Sequence, residues 1–188
     1  MDMRDQILTS AQRLVQQRGF NGFSYADIAD EVGIRKASLH HYFPSKTDLG
    51  LALIDGYTAQ LESGLLHINA TFSQADARLT AYVAIYRGSL EAQRMCLGGM
   101  LASEALTLDP VVLPSLKRFF ARNTEWLTEV LAAGDSQQLF TLTGTAADHA
   151  RVLLSALQGA LLIARASGDH EAFNRTASLL ISGLSRKG

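Results

Sequence analysis

Proline occurs at only three places in this chain, Pro44, Pro110 and Pro114, and that scarcity limits the possible folds more than any other feature. A proline inside a helix removes a backbone donor and clashes with the preceding turn. The long intervals without it are rich in Ala and Leu, which are among the best helix formers. Alternating Val, Ile and Thr runs and Gly-rich hairpin signals, the marks of strands, are missing. The sequence predicts an all-α protein with no sheet. Its 188 residues, 47% of them hydrophobic, suffice to bury a core without staples.

Periodicity divides the chain into helices. Ile7, Leu8, Ala11, Leu14 and Val15 form one stripe over a helix from Met3 to Gln17, ended by Gly19. Ser24 starts a second helix, with Asp27 three residues on in a capping-box-like pattern. Gly33 and Ile34 make a tight turn. A short third helix, Arg35 to Tyr42, points Leu39 and Phe43 inward and stops at Pro44. Ser45 then caps a long fourth helix from Lys46 to at least His67, with Asp48 again three residues on. Further helices are expected at Ser73–Glu91, Met95–Thr107, Leu113–Ala133, Ala146–Ala166 and Asp169–Ser185, with a loop over Gly134–Gly144. The domain boundary falls inside the fourth helix, giving residues 1–48 and 49–188.

Two short helices around a tight turn make a helix-turn-helix. The second helix of such a unit lies in the major groove of double-stranded DNA, N-terminal residues toward the base edges. Here those are Arg35, Lys36, Ala37 and Ser38. Arg35 and Lys36 can donate to guanine, Ala37 can meet a thymine methyl, and Ser38 can donate or accept. His40 and His41 continue two different edges of the reading surface, with packing the alternative for His40. Tyr42 and Lys46 suit phosphate contacts, as do Ser24 and Tyr25 at the start of the preceding helix. Core, beside Phe43, is the lesser alternative for Tyr42.

Charge agrees with a selective reader. The whole chain is nearly balanced, at −1, unlike a basic coat for nucleic acid. Residues 35–46 nevertheless hold Arg35, Lys36 and Lys46 and no acid. Adjacent helical residues do not share a face, so His40 and His41 are not expected to form a metal site.

The joint pattern resembles the DNA-binding domain of the tetracycline-repressor (TetR) family of bacterial regulators. It runs through Gly19-Phe20, Ser24, Ile28-Ala29, Val32-Gly33-Ile34, Ser38-Leu39, Tyr42-Phe43, Ser45-Lys46 and Leu49, about the first quarter of the chain. Departures fall at Val32, Arg35, Ala37 and His40, where the family commonly has other residues, so the operator cannot be borrowed from a relative. The resemblance implies an all-helical homodimer, most often a repressor. It implies a three-helix DNA-binding domain followed by a helical ligand-binding and dimerisation domain.

The last two helices are expected to build the dimer, as the resemblance implies, with Leu154, Leu157, Gly159 and Leu161 from one and Phe173, Leu180 and Leu184 from the other. The alternative is that both simply fill their own core. A two-fold dimer sets its reading helices about one DNA turn apart on a palindromic operator. A small-molecule effector is expected among the middle helices, where Tyr57, Tyr82, Tyr86, Met100, Phe119 and Trp126 line a cavity or serve as core. Cys96 is near the start of a helix and close to Arg94, surroundings that favour a reactive thiol. Cys96, Leu97, Gly99 and Glu104 are similar to a branch of the family with a Cys-Leu-x-Gly run followed by Glu. Some members of that branch sense electrophiles or oxidants through the cysteine. An inert core thiol is the other reading.

The remaining expectations are exclusions. A lone cysteine forms no internal disulfide. The charged opening stretch is unlike a signal peptide, and the apolar run Val152–Ala164 is shorter than the roughly 20 residues of a membrane span. A cytoplasmic protein without membrane contact is expected. No nucleophile-base-acid set or Gly-rich phosphate loop is legible, so neither an enzyme nor a cofactor is expected. A ligand-free partner platform on DNA and an all-helical enzyme are the competing readings.

Overall fold

The computed structural model describes residues 2–185. Nine α-helices form among them: α1 (Met3–Arg18), α2 (Tyr25–Val32), α3 (Lys36–Tyr42), α4 (Lys46–Thr71), α5 (Ala75–Glu91), α6 (Leu97–Ser103), α7 (Leu113–Ser136), α8 (Ala146–Ser167) and α9 (His170–Leu184). A 3-10 turn, Pro110–Val112, precedes α7. The described residues contain no strand, only an isolated antiparallel bridge between Phe140 and Ser185. The fold is all-α, as the proline-poor, Ala- and Leu-rich sequence predicts.

Packing separates two compact units. One comprises the chain up to Gln60 together with Arg94–Phe119, and the other Leu61–Gln93 with the chain from Phe120 onward. The division therefore falls inside α4 and inside α7. It differs from the sequence division at residue 48, because the first turns of α4 and the segment around α6 pack with the N-terminal helices.

In the first unit, Ile7, Ala11, Leu14 and Val15 of α1 are buried along one stripe, together with Ile28 and Ala29 of α2 and Leu39 of α3. An ion pair braces α1 to α2: Arg13 meets Glu31, which also accepts a 2.8 Å bond from the Ser10 hydroxyl. Burial alone would raise the Glu31 carboxyl, but the Arg13 and Ser10 bonds outweigh it and hold the group below its ordinary value. Gly33 ends α2 with φ +76°, a left-handed conformation that glycine adopts without a steric penalty.

In the second unit α5, α8 and α9 pack together around Leu79, Tyr82, Leu153, Leu157, Leu161 and Phe173. At 22 residues α8 has the length and composition of a membrane span, longer than its apolar run suggested. It carries Asp148, Arg151 and Arg165, and buries Leu153, Leu154, Leu157 and Leu161 in the unit.

Two boundaries move. The helix expected over Met95–Thr107 is only Leu97–Ser103, with turns following from Glu104. The loop expected from Gly134 begins later, since α7 continues to Ser136. Gly134 leaves room there for the Phe140 ring, which a Cβ would strike.

Candidate nucleic-acid interface

Each of the two helices that flank the recognition helix begins on a serine paired with an aspartate three residues on. Asp27 accepts from the Ser24 amide at 2.7 Å and from the Ser24 hydroxyl at 2.6 Å. Ser45 and Asp48 repeat the arrangement at 3.0 and 2.7 Å, and the Asp48 amide donates back to the Ser45 hydroxyl at 3.1 Å. These bonds satisfy donors that a helix start would otherwise leave open. The Ser24 hydroxyl and amide bonds hold the Asp27 carboxyl below its ordinary range.

Between them, α3 is anchored through Leu39, which is fully buried, with Phe43 buried at its end. Arg35 is its N-cap residue, and the Arg35 carbonyl accepts from the Ser38 amide at 2.8 Å. Arg35, Lys36, Ala37, His41 and Tyr42 are exposed, and Ser38 is half-buried. Tyr42 is 42% exposed, which removes it from the core. With Leu39 buried, the N-terminal end of the helix exposes Arg35 and Lys36 beside the small apolar Ala37.

His40 is exposed, but its position is not free. Its ring lies 4.8 Å from that of Tyr25, and Nδ1 is 3.2 Å from the Pro44 carbonyl. It packs against the end of its own helix.

Two residues expected to grip phosphate have structural work. Tyr25 is 6% exposed. Its hydroxyl lies 2.9 Å from the Phe43 carbonyl and 2.6 Å from the Ser45 carbonyl, and can donate to either. The phenol therefore ties the start of α2 to the junction of α3 and α4. The Lys46 ammonium donates to the Phe23 carbonyl and sits over two rings, 5.0 Å from the centroid of Phe20 and 4.2 Å from that of Phe23. Burial lowers the Lys46 pKa, against the opposing pull of Glu104 and Asp27.

Arg4 was not singled out in the sequence. Its guanidinium lies 5.3 Å over the Phe43 ring, which adds an exposed cation beside the end of α3. The signal is spatial, since nothing in the linear pattern joins position 4 to position 43.

The expected effector residues fall in both units. In the first, the Tyr57 ring lies tilted at 5.5 Å from that of Phe119, Met100 is half-buried on α6, and Cys96 is the N-cap residue of α6 at 6% exposure. In the second, the Tyr82 ring lies 5.3 Å from Trp126 and 5.5 Å from Tyr86. The Tyr82 hydroxyl donates to Asn123 at 2.7 Å and lies 3.1 Å from that of Tyr86, which Gln158 reaches at 3.3 Å. This buried cluster is polar, whereas the sequence suggested an apolar lining; Asn123 and Gln158 supply the difference. Trp126 donates to Asn69 at 3.1 Å, at the edge of a groove of about 280 Å³ between α4 and α7 that Glu62 and Arg122 also line.

Of the residues expected at a dimer contact, most are packed inside their own chain. Leu154, Leu157, Leu161, Phe173 and Leu184 are buried within the protomer, with Gly159 and Leu180 half-buried. The five buried residues fill the packing of α5, α8 and α9, whereas a Cβ at Gly159 would meet nothing within 4 Å. The apolar side chains left outward on the same two helices are Val152, Leu162, Ile163 and Leu179, the last 72% exposed. Among the described residues, no group of three or more His, Cys, Asp or Glu side chains is placed to hold a metal ion.

Comparison with known proteins agrees with this geometry. The profile of the family described as "Bacterial regulatory proteins, tetR family" matches residues 7–53, spanning α1 to the start of α4. A solved structure of a TetR-family transcriptional regulator from Agrobacterium tumefaciens is 36% identical, with 98% of each chain covered and a TM-score of 0.94. A TetR transcriptional regulator from Legionella pneumophila is 30% identical, again over 98% of each chain, with a TM-score of 0.90. The transcriptional repressor NemR of Escherichia coli K12 is 24% identical over 90% of this chain and 87% of its own length.

Proposed function

Given that the chain belongs to the tetR family of bacterial regulatory proteins, we propose that it is a sequence-specific transcriptional repressor that a small molecule or electrophile releases from a palindromic operator. The observation that carries this reading is the face of α3: Arg35, Lys36, Ala37 and His41 exposed over a fully buried Leu39. That arrangement aims donors and a small apolar side chain at base edges while the core holds the helix in place. Residues 1–48 are the DNA-binding part, and 49–188 bind effector and dimerise. Ser24, Tyr42 and Arg4 meet phosphates around the reading helix. Tyr25 and Lys46 act by holding it, with Lys46 near enough to the backbone to add charge.

The partner copy packs on α8 and α9. Val152, Ser155, Gly159, Leu162 and Ile163 recur at helical spacing along α8. A Cβ at Gly159 would meet nothing in the protomer, so a second helix can approach closely there. The protein works in the bacterial cytoplasm. Effector binding weakens DNA binding only insofar as effector prefers the released state, and DNA weakens effector binding by the same factor.

The test is selection of bound duplexes from a random pool at physiological salt with the protein reduced. A strongly enriched palindrome is the expected outcome. An absence of enrichment by folded dimeric protein would overturn the reading.

A further inference from the structure

The connector between α1 and α2 is held by a carboxylate from a distant part of the sequence. Glu104, directly after α6, accepts from the Phe20 amide at 2.9 Å through Oε1 and from the Asn21 amide at 2.8 Å through Oε2. Both oxygens are used, each on a backbone donor past the end of α1. Phe20 is itself buried, so its amide would be costly to leave open.

Other contacts join the same two segments. The Asn21 side chain donates to the Thr107 hydroxyl at 2.8 Å. Gln16, near the end of α1, exchanges two bonds with Met95, side chain to carbonyl and amide to carbonyl, each at 3.0 Å. Gly19 makes the approach possible. Its φ of +85° and ψ of 166° form a combination open essentially to glycine alone, and a side chain there would strike the Glu104 carboxylate.

The connector leads directly to the reading helix. Its other side is held by Lys46 on the Phe23 carbonyl and the two phenylalanine rings. Ser24 then starts α2, and Tyr25 braces the end of α3. Residues 20–21 are thus joined to α3 by a short run in which Phe23 and Tyr25 are buried and Ser24 is hydrogen-bonded to Asp27.

We propose that Glu104 is a positioning residue for DNA recognition, its carboxylate fixing the α1–α2 connector and through it the aim of α3. This rests on the reading of the chain as a DNA-binding regulator. A carboxylate is needed because both of its oxygens accept. Glutamine would accept one amide and turn its own NH2 toward the other. The α6 segment therefore grips the DNA-binding helices by their connector as well as by the Asp109–Thr47 contact at the start of α4, 3.4 Å long.

The experiment compares Glu104→Gln with wild type on the selected palindrome, with the active fraction fixed by stoichiometric titration. Expected are a Kd about tenfold higher at full active fraction, an unchanged salt slope, and faster hydrogen exchange at the Phe20 and Asn21 amides. A variant that merely folds less well loses active fraction at constant Kd. The control Arg118→Ala, which removes an exposed ion pair to Asp55, should leave Kd unchanged. A wild-type Kd for Glu104→Gln with fast amide exchange overturns the inference, and so do amides that stay protected. If Glu104→Gln does not fold, Glu104→Asp decides the matter: its carboxylate is one methylene shorter and draws back from the two amides, so an unchanged Kd with fast exchange at those amides counts against the proposal. Wild-type protein that selects no DNA overturns the regulator reading itself, a failure distinguishable because the wild type alone shows it.

Discussion

The Tyr25 hydroxyl lies 2.6 Å from the Ser45 carbonyl, across the end of the recognition helix. The first residue of α2 thereby meets the residue that caps α4, and the end of the short helix between them is tied to both. Replacing Tyr25 with Phe leaves two carbonyls without that donor. The expected loss is about 1–2 kcal/mol of unfolding free energy, read from urea denaturation, together with weaker operator binding. Full stability in Tyr25→Phe would show the bond to be dispensable.

The same phenol predicts an alkaline limit. Burial, and then the charge of Asp48, push its pKa from the ordinary 10.0 up to about 12. The unfolded chain loses this proton first, so the stabilisation is complete below pH 10 and is lost as pH rises toward 12. Wild type should lose more stability than Tyr25→Phe across that window. Parallel curves from urea titrations at each pH would refute the assignment.

At the acid end, Asp27 behaves in the opposite sense. Its folded pKa is depressed, chiefly by the Ser24 hydroxyl bond. The stabilisation is present above its ordinary value of 3.8 and disappears as pH falls through the lower folded value. Asp27→Asn should flatten the acid limb of the stability profile, and circular dichroism against pH should register the difference.

Lys36 and Lys46 should separate reading from support. Lys36→Ala is expected to leave the melting temperature unchanged and to relax preference at one base pair by about 1–3 kcal/mol. Lys46→Ala should lower the melting temperature, because it removes the bond to the Phe23 carbonyl and the cation from two rings. It should also weaken all DNA sequences alike. Competition binding on single-base variants distinguishes the two patterns.

Leu179→Arg places a charge at the most exposed apolar position of α9. Sedimentation should show the dimer shifting toward monomer with helicity unchanged. Leu157→Arg, at a fully buried site, should instead unfold the protein. Equal dimerisation of Leu179→Arg and wild type would move the interface elsewhere.

Much of this was legible in the residues, for local reasons. Proline placement and 3.6-residue stripes disclosed the helices, and serine–aspartate pairs three apart marked the starts of α2 and α4. What the sequence concealed was pairing across distance. Tyr25 and Lys46 are polar and adjoin the reading helix, so the pattern assigns them to phosphate, yet both turn inward to carbonyls. The leucines of α8 read as apolar, but periodicity does not say whether the cover comes from the same chain or a partner. The helix after Cys96 stops early where Glu104 turns to the connector, a bond with a partner 84 residues away. Buried Asn123 and half-buried Gln158 carry no local pattern that marks an inward-facing amide.

The recognition helix is seven residues long and has no side-chain cap. A helix that short does not persist alone in water; it stands because Leu39 and Phe43 are buried and Tyr25 closes over its end. Arg35, Lys36, Ala37 and His41 contribute little to that support. Evolution or design can therefore rewrite the reading surface without renegotiating the fold, so that closely similar backbones can answer to unrelated operators.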